Sequence, residues 1–380
     1  MKRTIRLKLN TTTEQEPVLL NTLTEFTTAF NFVCEYGWQN SEKNGVKLHH
    51  ATYYTVKEMC KGLVSDLIVQ ARTKATEAVK SAFSRLKSGR KASQPRSKLC
   101  PARYNLHTYK LDWDKQQVNL ATAPNHRLTI NFTVPEYASK YVGYPVDTAD
   151  LVYRKGKFWL HVVVTVPETD YLDNQEAVGV DLGLNHPAVT SKRKFLGSRH
   201  WKEVDRRNFR LKKALQSKGT KSAKRHLKKL SGKVQRFRKD CDHVLSKRIV
   251  QSCTSGTTIV IENLTEIRSR ARLRKGEGQR RLHSWSFAQF RSFLDYKAQE
   301  AGMQVVAIDP RHTSQTCSKC SYQSRSNRKS QALFLCRSCG YSLNADLNAS
   351  YNIRDKHLAT LGITLSSAPQ SIGVTHPSFG

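Results

Sequence analysis

The sequence predicts an α/β protein preceded by a β-barrel, and three patterns carry that prediction. Short alternating apolar runs fill the first 170 residues and are interrupted by a helical stretch. Beyond residue 171, apolar strands alternate with helices. Two Cys-x-x-Cys pairs then stand just ahead of the last helix.

Ile5, Leu7 and Leu9 alternate with polar residues and mark a first strand. Thr13-Glu14-Gln15-Glu16 has the form of a capping box, and Leu19, Leu23, Phe26, Phe30 and Val33 follow at helical spacing. A second helix is expected over about 52–88, with Leu63, Leu67, Ala71, Ala75, Ala78 and Ala82 inward, running out into the basic loop 87–96. Strands follow at Val118–Leu120, Leu128–Val134, Asp150–Tyr153 and Phe158–Val166, the last two joined by a turn at Gly156.

The second half opens on an apolar strand, Ala177–Leu184. Residues 200–252 read as a helical hairpin broken at Ser217–Thr220. Its second arm has one apolar seam through Ala223, Leu227, Leu230, Val234, Phe237, Cys241 and Val244. Thr257–Glu262 and Gln304–Asp309 are further strands. Arg268–Arg281 reads as a basic loop, and a helix runs from a Ser284 cap to Gly302. The last helix spans about Asn344–Leu361, and Ser366–Gly380 lacks any periodicity.

Charge narrows the function. The 380 residues carry 64 Lys+Arg against 30 Asp+Glu, a formal net charge of +34. A folded body so charged calls for a polyanion, and nucleic acid is the first candidate. Between residues 191 and 250 the count is 22 Lys+Arg to 4 Asp+Glu, so the hairpin reads as a nucleic-acid-facing arm. No run of 18 apolar residues implies a membrane span, and the first residues lack a signal peptide's apolar core. Cys34, Cys60, Cys100, Cys241 and Cys253 are scattered, which suits free thiols in a reducing cytosol.

Cys317, Cys320, Cys336 and Cys339 form two C-x2-C pairs with fifteen residues between them. Four thiolates so spaced close a tetrahedral site around structural Zn2+, with no position left open for catalysis. Three carboxylates stand out by context: Asp181 within an apolar strand, Glu262 ending another, and Asp346 in the first turn of the last helix. A buried carboxylate needs a partner, and a divalent cation supplies one. Converging from two strands and a helix, the three could hold two Mg2+ ions about 4 Å apart, with Mn2+ as a substitute.

The order Asp on a first strand, Glu on a later strand and Asp opening a helix is the layout of the RNase H-like (RuvC) fold. With Val178–Leu184, Val260–Leu264, Thr313-Ser314-Gln315 before Cys317, the four cysteines and Asn344–Ile353, the chain resembles the TnpB family. These are transposon-encoded RNA-guided DNA nucleases related to compact type V CRISPR effectors. The resemblance spans nearly the whole chain. It implies that Asp181, Glu262 and Asp346 bind the catalytic metals. It also implies a guide RNA derived from the transposon end, target double-stranded DNA cut beside a short flanking motif, and one active site cutting both strands in turn. Neither a membrane nor a protein oligomer is required, and the place of action is the prokaryotic cytosol or nucleoid.

On this reading residues 1–10 and 96–170 form a wedge-like β-barrel, interrupted by a helical recognition insertion at 11–95. Residues 171–310 and 343–362 form the RuvC domain, with the basic insertion at 200–252, the zinc ribbon at 311–342 and a disordered tail at 363–380. Asn344 stands where relatives often carry an acid and reads as a helix cap, Ser350 stands where Ala is frequent, and Asp309 reads as structural. Three other readings compete: a catalytically silent RNA-guided DNA-binding repressor, a transposase or resolvase acting without RNA, and a zinc-ribbon RNA-binding protein whose RuvC-like strands are inert.

Overall fold

The structure is a computed structural model that describes residues 1–171, 174–183, 186–265 and 287–363. The expectations for the Arg268–Arg281 loop, the Ser284 cap and the tail from Ser366 lie outside the described residues. The chain divides into two units, Met1–Pro167 and Glu168–Gly380.

The first unit is built on a seven-stranded antiparallel sheet. Its strands are β1 (Lys2–Asn10), β2 (Ala102–Tyr104), β3 (Tyr109–Asp112), β4 (Gln117–Ala123), β5 (His126–Thr133), β6 (Val146–Arg154) and β7 (Lys157–Thr165), in the order β2-β6-β7-β1-β5-β4-β3. The central strand β1 buries Ile5, Leu7 and Leu9, as its alternation predicts. The sheet curls nearly closed: the Tyr109 hydroxyl, on one edge strand, donates to the Asp147 carbonyl of β6, one strand in from the other edge, at 3.0 Å. At the β6–β7 hairpin Lys155 and Gly156 have φ of 55° and 70°. Paired left-handed residues twist the turn to match the strands, which is why glycine serves there.

Between β1 and β2 the chain forms α1 (Gln15–Gln39), α2 (Gly45–Met59) and α3 (Ser65–Lys87), and the buried α1 face is the predicted one. Two details differ from expectation. The capping box sits one residue earlier: Gln15 N–H donates to the Thr12 hydroxyl at 3.3 Å, and Thr12 N–H to Gln15 Oε1 at 3.2 Å. The single helix expected over 52–88 is two. The chain turns at Cys60–Val64, where a Cβ on Gly62 would lie 2.5 Å from Glu25 Oε1, the mobile end of an α1 side chain that can move aside.

The second unit holds a five-stranded sheet ordered β10-β9-β8-β11-β12, from β8 (Ala177–Asp181), β9 (Ala188–Thr190), β10 (Phe195–Leu196), β11 (Thr258–Glu262) and β12 (Gln304–Ile308). β8, β11 and β12 run parallel, with Val178 opposite Ile259 and Val180 opposite Ile261. Between β10 and β11 lie α4 (Arg199–Lys218) and α5 (Lys221–Gln251), hinged at the predicted break by Gly219, whose φ is 64°. The predicted seam of α5 is buried at Ala223 and Leu230 but elsewhere only half covered. Toward its end the buried face drifts to Leu245, Ile249 and Val250, which enter the sheet's core. α6 (Phe287–Glu300) precedes β12, and α7 (Ala345–Thr360) ends the described chain.

Strand alternation sorts the sheet into two faces. Val178, Val180, Ile259 and Ile261 pack with α5 and α6 residues such as Ile249 and Leu294. Val260 and Ile308 pack instead against Ile353 of α7. Gly179 shares that second face, and a Cβ on it would lie 2.0 Å from the Ser350 carbonyl oxygen and 2.6 Å from the Arg354 nitrogen. Helix α7 therefore crosses β8 at backbone contact. We expect Gly179→Ala to displace α7, at a cost of about 3 kcal/mol and roughly 6–12 °C in Tm. An unchanged thermal melt would contradict so close a crossing. Among the described residues no helix is long and apolar enough to cross a membrane.

Candidate functional site

The same alternation brings the acids together. Asp181 and Glu262 are the last residues of adjacent parallel strands, and each lies two positions beyond a residue on the α7 face, Gly179 and Val260. Asn344 caps α7, its Oδ1 accepting from the N–H groups of Asp346 and Leu347 at 3.0 and 3.2 Å, as the cap reading predicts. That cap fixes the turn carrying Asp346, which is 5% exposed; Glu262 is 9% exposed and Asp181 half-buried.

Their electrostatics tie the three into one neighbourhood. Burial drives the Asp181 carboxyl well above the usual carboxylate range, and the charges of Glu262 and Asp346 push it further. Burial also raises Glu262 and Asp346. Among the described residues only the four cysteines bring three or more candidate ligand atoms within 4.8 Å of one another. The three acids do not come within that distance of one another. A buried, mutually repelling carboxylate set suits divalent cations in its donor chemistry.

Two residues that sequence reasoning did not single out for this site complete it. Arg328, from the loop between the cysteine pairs, places Nη2 3.4 Å from Asp346 Oδ1, and its charge offsets part of the shift at all three acids. It stands among other basic residues, Arg325 and Lys329, so no local pattern distinguishes it. Thr313, 4% exposed, donates its hydroxyl to Glu262 Oε1 at 2.6 Å. It had been marked only as part of a motif. Asp309 is exposed and accepts from the Arg311 N–H at 3.2 Å, and its charge adds to the upward shift at Glu262.

The cysteines form a cluster able to hold zinc. All four Sγ atoms lie within 4.8 Å of one another, with Cys317–Cys339 at 3.7 Å and Cys320–Cys336 at 3.6 Å. Each pair sits on the same turn. Ser321 and Gly340 follow the pairs with φ of 60° and 68° and donate to the carbonyls of Cys317 and Cys336. The N–H groups of Cys317 and Cys336 donate in turn to the carbonyls of Tyr322 and Tyr341, at 3.0 and 2.9 Å. Two knuckles with the same backbone bonds and four gathered thiols suit a four-cysteine Zn2+ site. The five other cysteines form no disulfide, and Cys34, Cys60 and Cys100 are buried.

One surface carries concentrated positive charge, and a second sets two lysines beside an exposed ring. Helices α4 and α5 hold 19 Lys+Arg against 4 Asp+Glu across residues 199–251, and α4 buries no residue. In the first unit, Lys47, His50, Tyr54 and Lys57 recur at helical spacing on one exposed face of α2, with Tyr54 74% exposed. Cations flanking open rings suit phosphates and bases together.

Comparison with known proteins fits this geometry. Residues 287–353 match the family described as Cas12f1-like, TNB domain, and residues 161–268 match OrfB_IS605, described as a probable transposase. A CRISPR-associated endodeoxyribonuclease Cas12f1 of Sulfoacidibacillus thermotolerans is 32% identical over 231 residues, 55% of this chain and 53% of that protein. A Cas12f1 of Syntrophomonas palmitatica is 32% identical over 207 residues, 50% of this chain and 40% of that protein. A TnpB-like protein of Methanocaldococcus jannaschii is 24% identical over 270 residues, 65% of this chain and 92% of that protein. The match thus spans only about half the length of the two Cas12f1 relatives. In fold the chain is similar to Cas12f1 in a cryo-EM complex with sgRNA and target DNA, with a TM-score of 0.64 at 17% identity over 91% of this chain and 84% of that one. It is also similar to the mini RNA-guided endonuclease CRISPR-Casφ3, with a TM-score of 0.53 at 10% identity over 97% and 94%. The RNase H-like α/β architecture with a four-cysteine module and an N-terminal β-barrel is the fold of this chain.

Proposed function

We propose that this chain, a relative of the Cas12f1 and TnpB-like proteins, is an RNA-guided DNA endonuclease of transposon origin. It hydrolyses phosphodiester bonds of target double-stranded DNA in one RuvC-type site made of Asp181, Glu262 and Asp346. The observation that carries this reading is that two buried carboxylates, Glu262 at a strand end and Asp346 at a helix N-terminus, act by charge on half-buried Asp181 at the adjacent strand end.

Divalent ions held there, Mg2+ or in its place Mn2+, would lower the pKa of an attacking water and stabilise the leaving 3′ oxygen. The chain's own residues prepare that chemistry. Asp181, Glu262 and Asp346 supply the oxygen ligands on a rigid sheet and a capped helix. Arg328 balances part of their charge and leaves a guanidinium beside the site suited to a phosphate oxygen. The cysteine cluster, with Zn2+, is structural.

The basic α4–α5 hairpin suits the sugar-phosphate backbones of a guide RNA and its paired DNA strand, and base pairing then carries sequence specificity. The lysine and aromatic face of α2 suits the DNA duplex that bears a short flanking motif.

The decisive experiment is to sequence the RNA that copurifies with the protein and then re-target it. We expect one discrete transcript, and we expect cleavage to move to any DNA that matches a replaced guide segment. Cutting without RNA would replace this reading with a transposase or resolvase. RNA-directed binding without cutting would replace it with a silent repressor.

A further inference from the structure

The residues around Glu262 point to a role for the segment between β12 and the first knuckle. The Thr313 hydroxyl lies 2.6 Å from Glu262 Oε1 and 3.0 Å from the Pro310 carbonyl. Its one proton goes to the closer acceptor, which is also the charged one. From the other side, α7 grips the same segment with two side chains one turn apart. Asn348, fully buried, donates to the Thr316 carbonyl at 2.8 Å and accepts from the Ser318 N–H at 3.1 Å. Asn352 donates to the carbonyls of Thr313 and Thr316, both at 2.7 Å.

These bonds run from one acid to the other. Glu262 is held by Thr313, residues 313–318 are held by Asn348 and Asn352, and Asp346 lies two residues before Asn348 on the same helix. The segment ends inside the knuckle, at Cys317 and Ser318.

We infer that Thr313 is a positioning residue for Glu262, and that Thr313–Ser318 is a strut by which the knuckle fixes the separation of Glu262 and Asp346. The inference rests on the nuclease reading above and deepens it. One carboxylate oxygen is turned toward Thr313, which leaves the other to face the ions and removes the freedom of the side chain to rotate. Outer partners of this kind set the affinity of a metal site by 10–100-fold.

Thr313→Val keeps the branched shape and deletes the hydroxyl, whereas Thr313→Ser keeps the hydroxyl. The test measures Mn2+ binding by electron paramagnetic resonance and the Mg2+ midpoint of cleavage, on full-length protein with its RNA. We expect Thr313→Val to weaken Mn2+ binding and raise the Mg2+ midpoint about 10-fold or more. Target binding should stay near wild type, and Thr313→Ser should restore both Mn2+ binding and the midpoint. An unchanged midpoint in Thr313→Val, or the same loss in Thr313→Ser, overturns the inference. Should Thr313→Val not fold, Asn352→Ala at a half-buried position must weaken Mn2+ binding in the same direction, and unaltered binding there also overturns it. If Asp181→Ala binds Mn2+ like wild type, the active-site reading itself fails and this one falls with it, an outcome distinct from failure at Thr313 alone.

Discussion

Asp181→Ala is expected to lower DNA cleavage by more than about 10³-fold while RNA and target binding persist. Asp181 is the acid on which the charges of both others act, so its removal takes away the carboxylate they repel most. Binding should survive because phosphates are held by the basic surfaces, whose charge the substitution does not touch. The same change carries a second signature with opposite sign. The Asp181 carboxyl is raised in the folded protein, so the metal-free fold binds a proton more tightly than the unfolded chain does. Stability of the metal-free protein should therefore fall as pH rises from the ordinary carboxylate pKa, about 3.9, through the raised folded value. The penalty grows across that window, and Asp181→Ala removes it. We expect the chelated variant to melt above chelated wild type, a difference that added Mg2+ reverses by stabilising wild type alone. Cleavage at the wild-type rate would remove Asp181 from the site. Identical melting in chelator would show that its carboxyl is solvated after all.

Much of this site could be read from the chain because its key residues break local patterns. An acid inside Val178-Gly179-Val180-Asp181-Leu182 and another ending Ile259-Val260-Ile261 contradict their apolar surroundings, and burial makes that contradiction costly. The cysteine pairs declare themselves by spacing alone. What the chain could not declare are the contacts made at long range. Arg328 is one basic residue among several and acquires meaning only 3.4 Å from Asp346, eighteen positions on. Gly179 looks like ordinary strand dilution until α7 is seen at backbone contact. In the first unit, the corner at Gly62 escaped notice because the helical spacing of Leu63, Leu67 and Ala71 continues past it. The capping box was misplaced by one residue because Thr11, Thr12 and Thr13 offer three equivalent hydroxyls, and geometry alone chooses Thr12.

Cys317→Ser should have the largest effect on the second unit's architecture. The apolar core at the cluster consists of Cys317, Phe334, Cys336 and Ala345, with Tyr341 packed alongside. So small a core cannot order a segment by hydrophobic burial, and the two strands it supports, β13 (Leu333–Leu335) and β14 (Ser342–Asn344), have three residues each. Zn2+ held there would supply the missing free energy; binding by comparable four-ligand sites contributes about 10–16 kcal/mol near neutral pH. Replacing one buried thiolate by a hydroxyl should therefore drop bound zinc to a small fraction of one equivalent. It should also open the region between the cysteine pairs to proteolysis. The consequence reaches the acids, because Arg328 enters the site from that region and the Thr313–Ser318 segment ends in it. Cleavage should fall by at least about 10-fold, whereas the first unit, with its own extensive core, should keep its melting transition. Elemental analysis, limited proteolysis and a cleavage assay on one preparation decide the matter. A variant that lacks zinc yet resists protease and cuts normally would mean that the cysteines close no metal site and that Arg328 needs no ribbon to hold it.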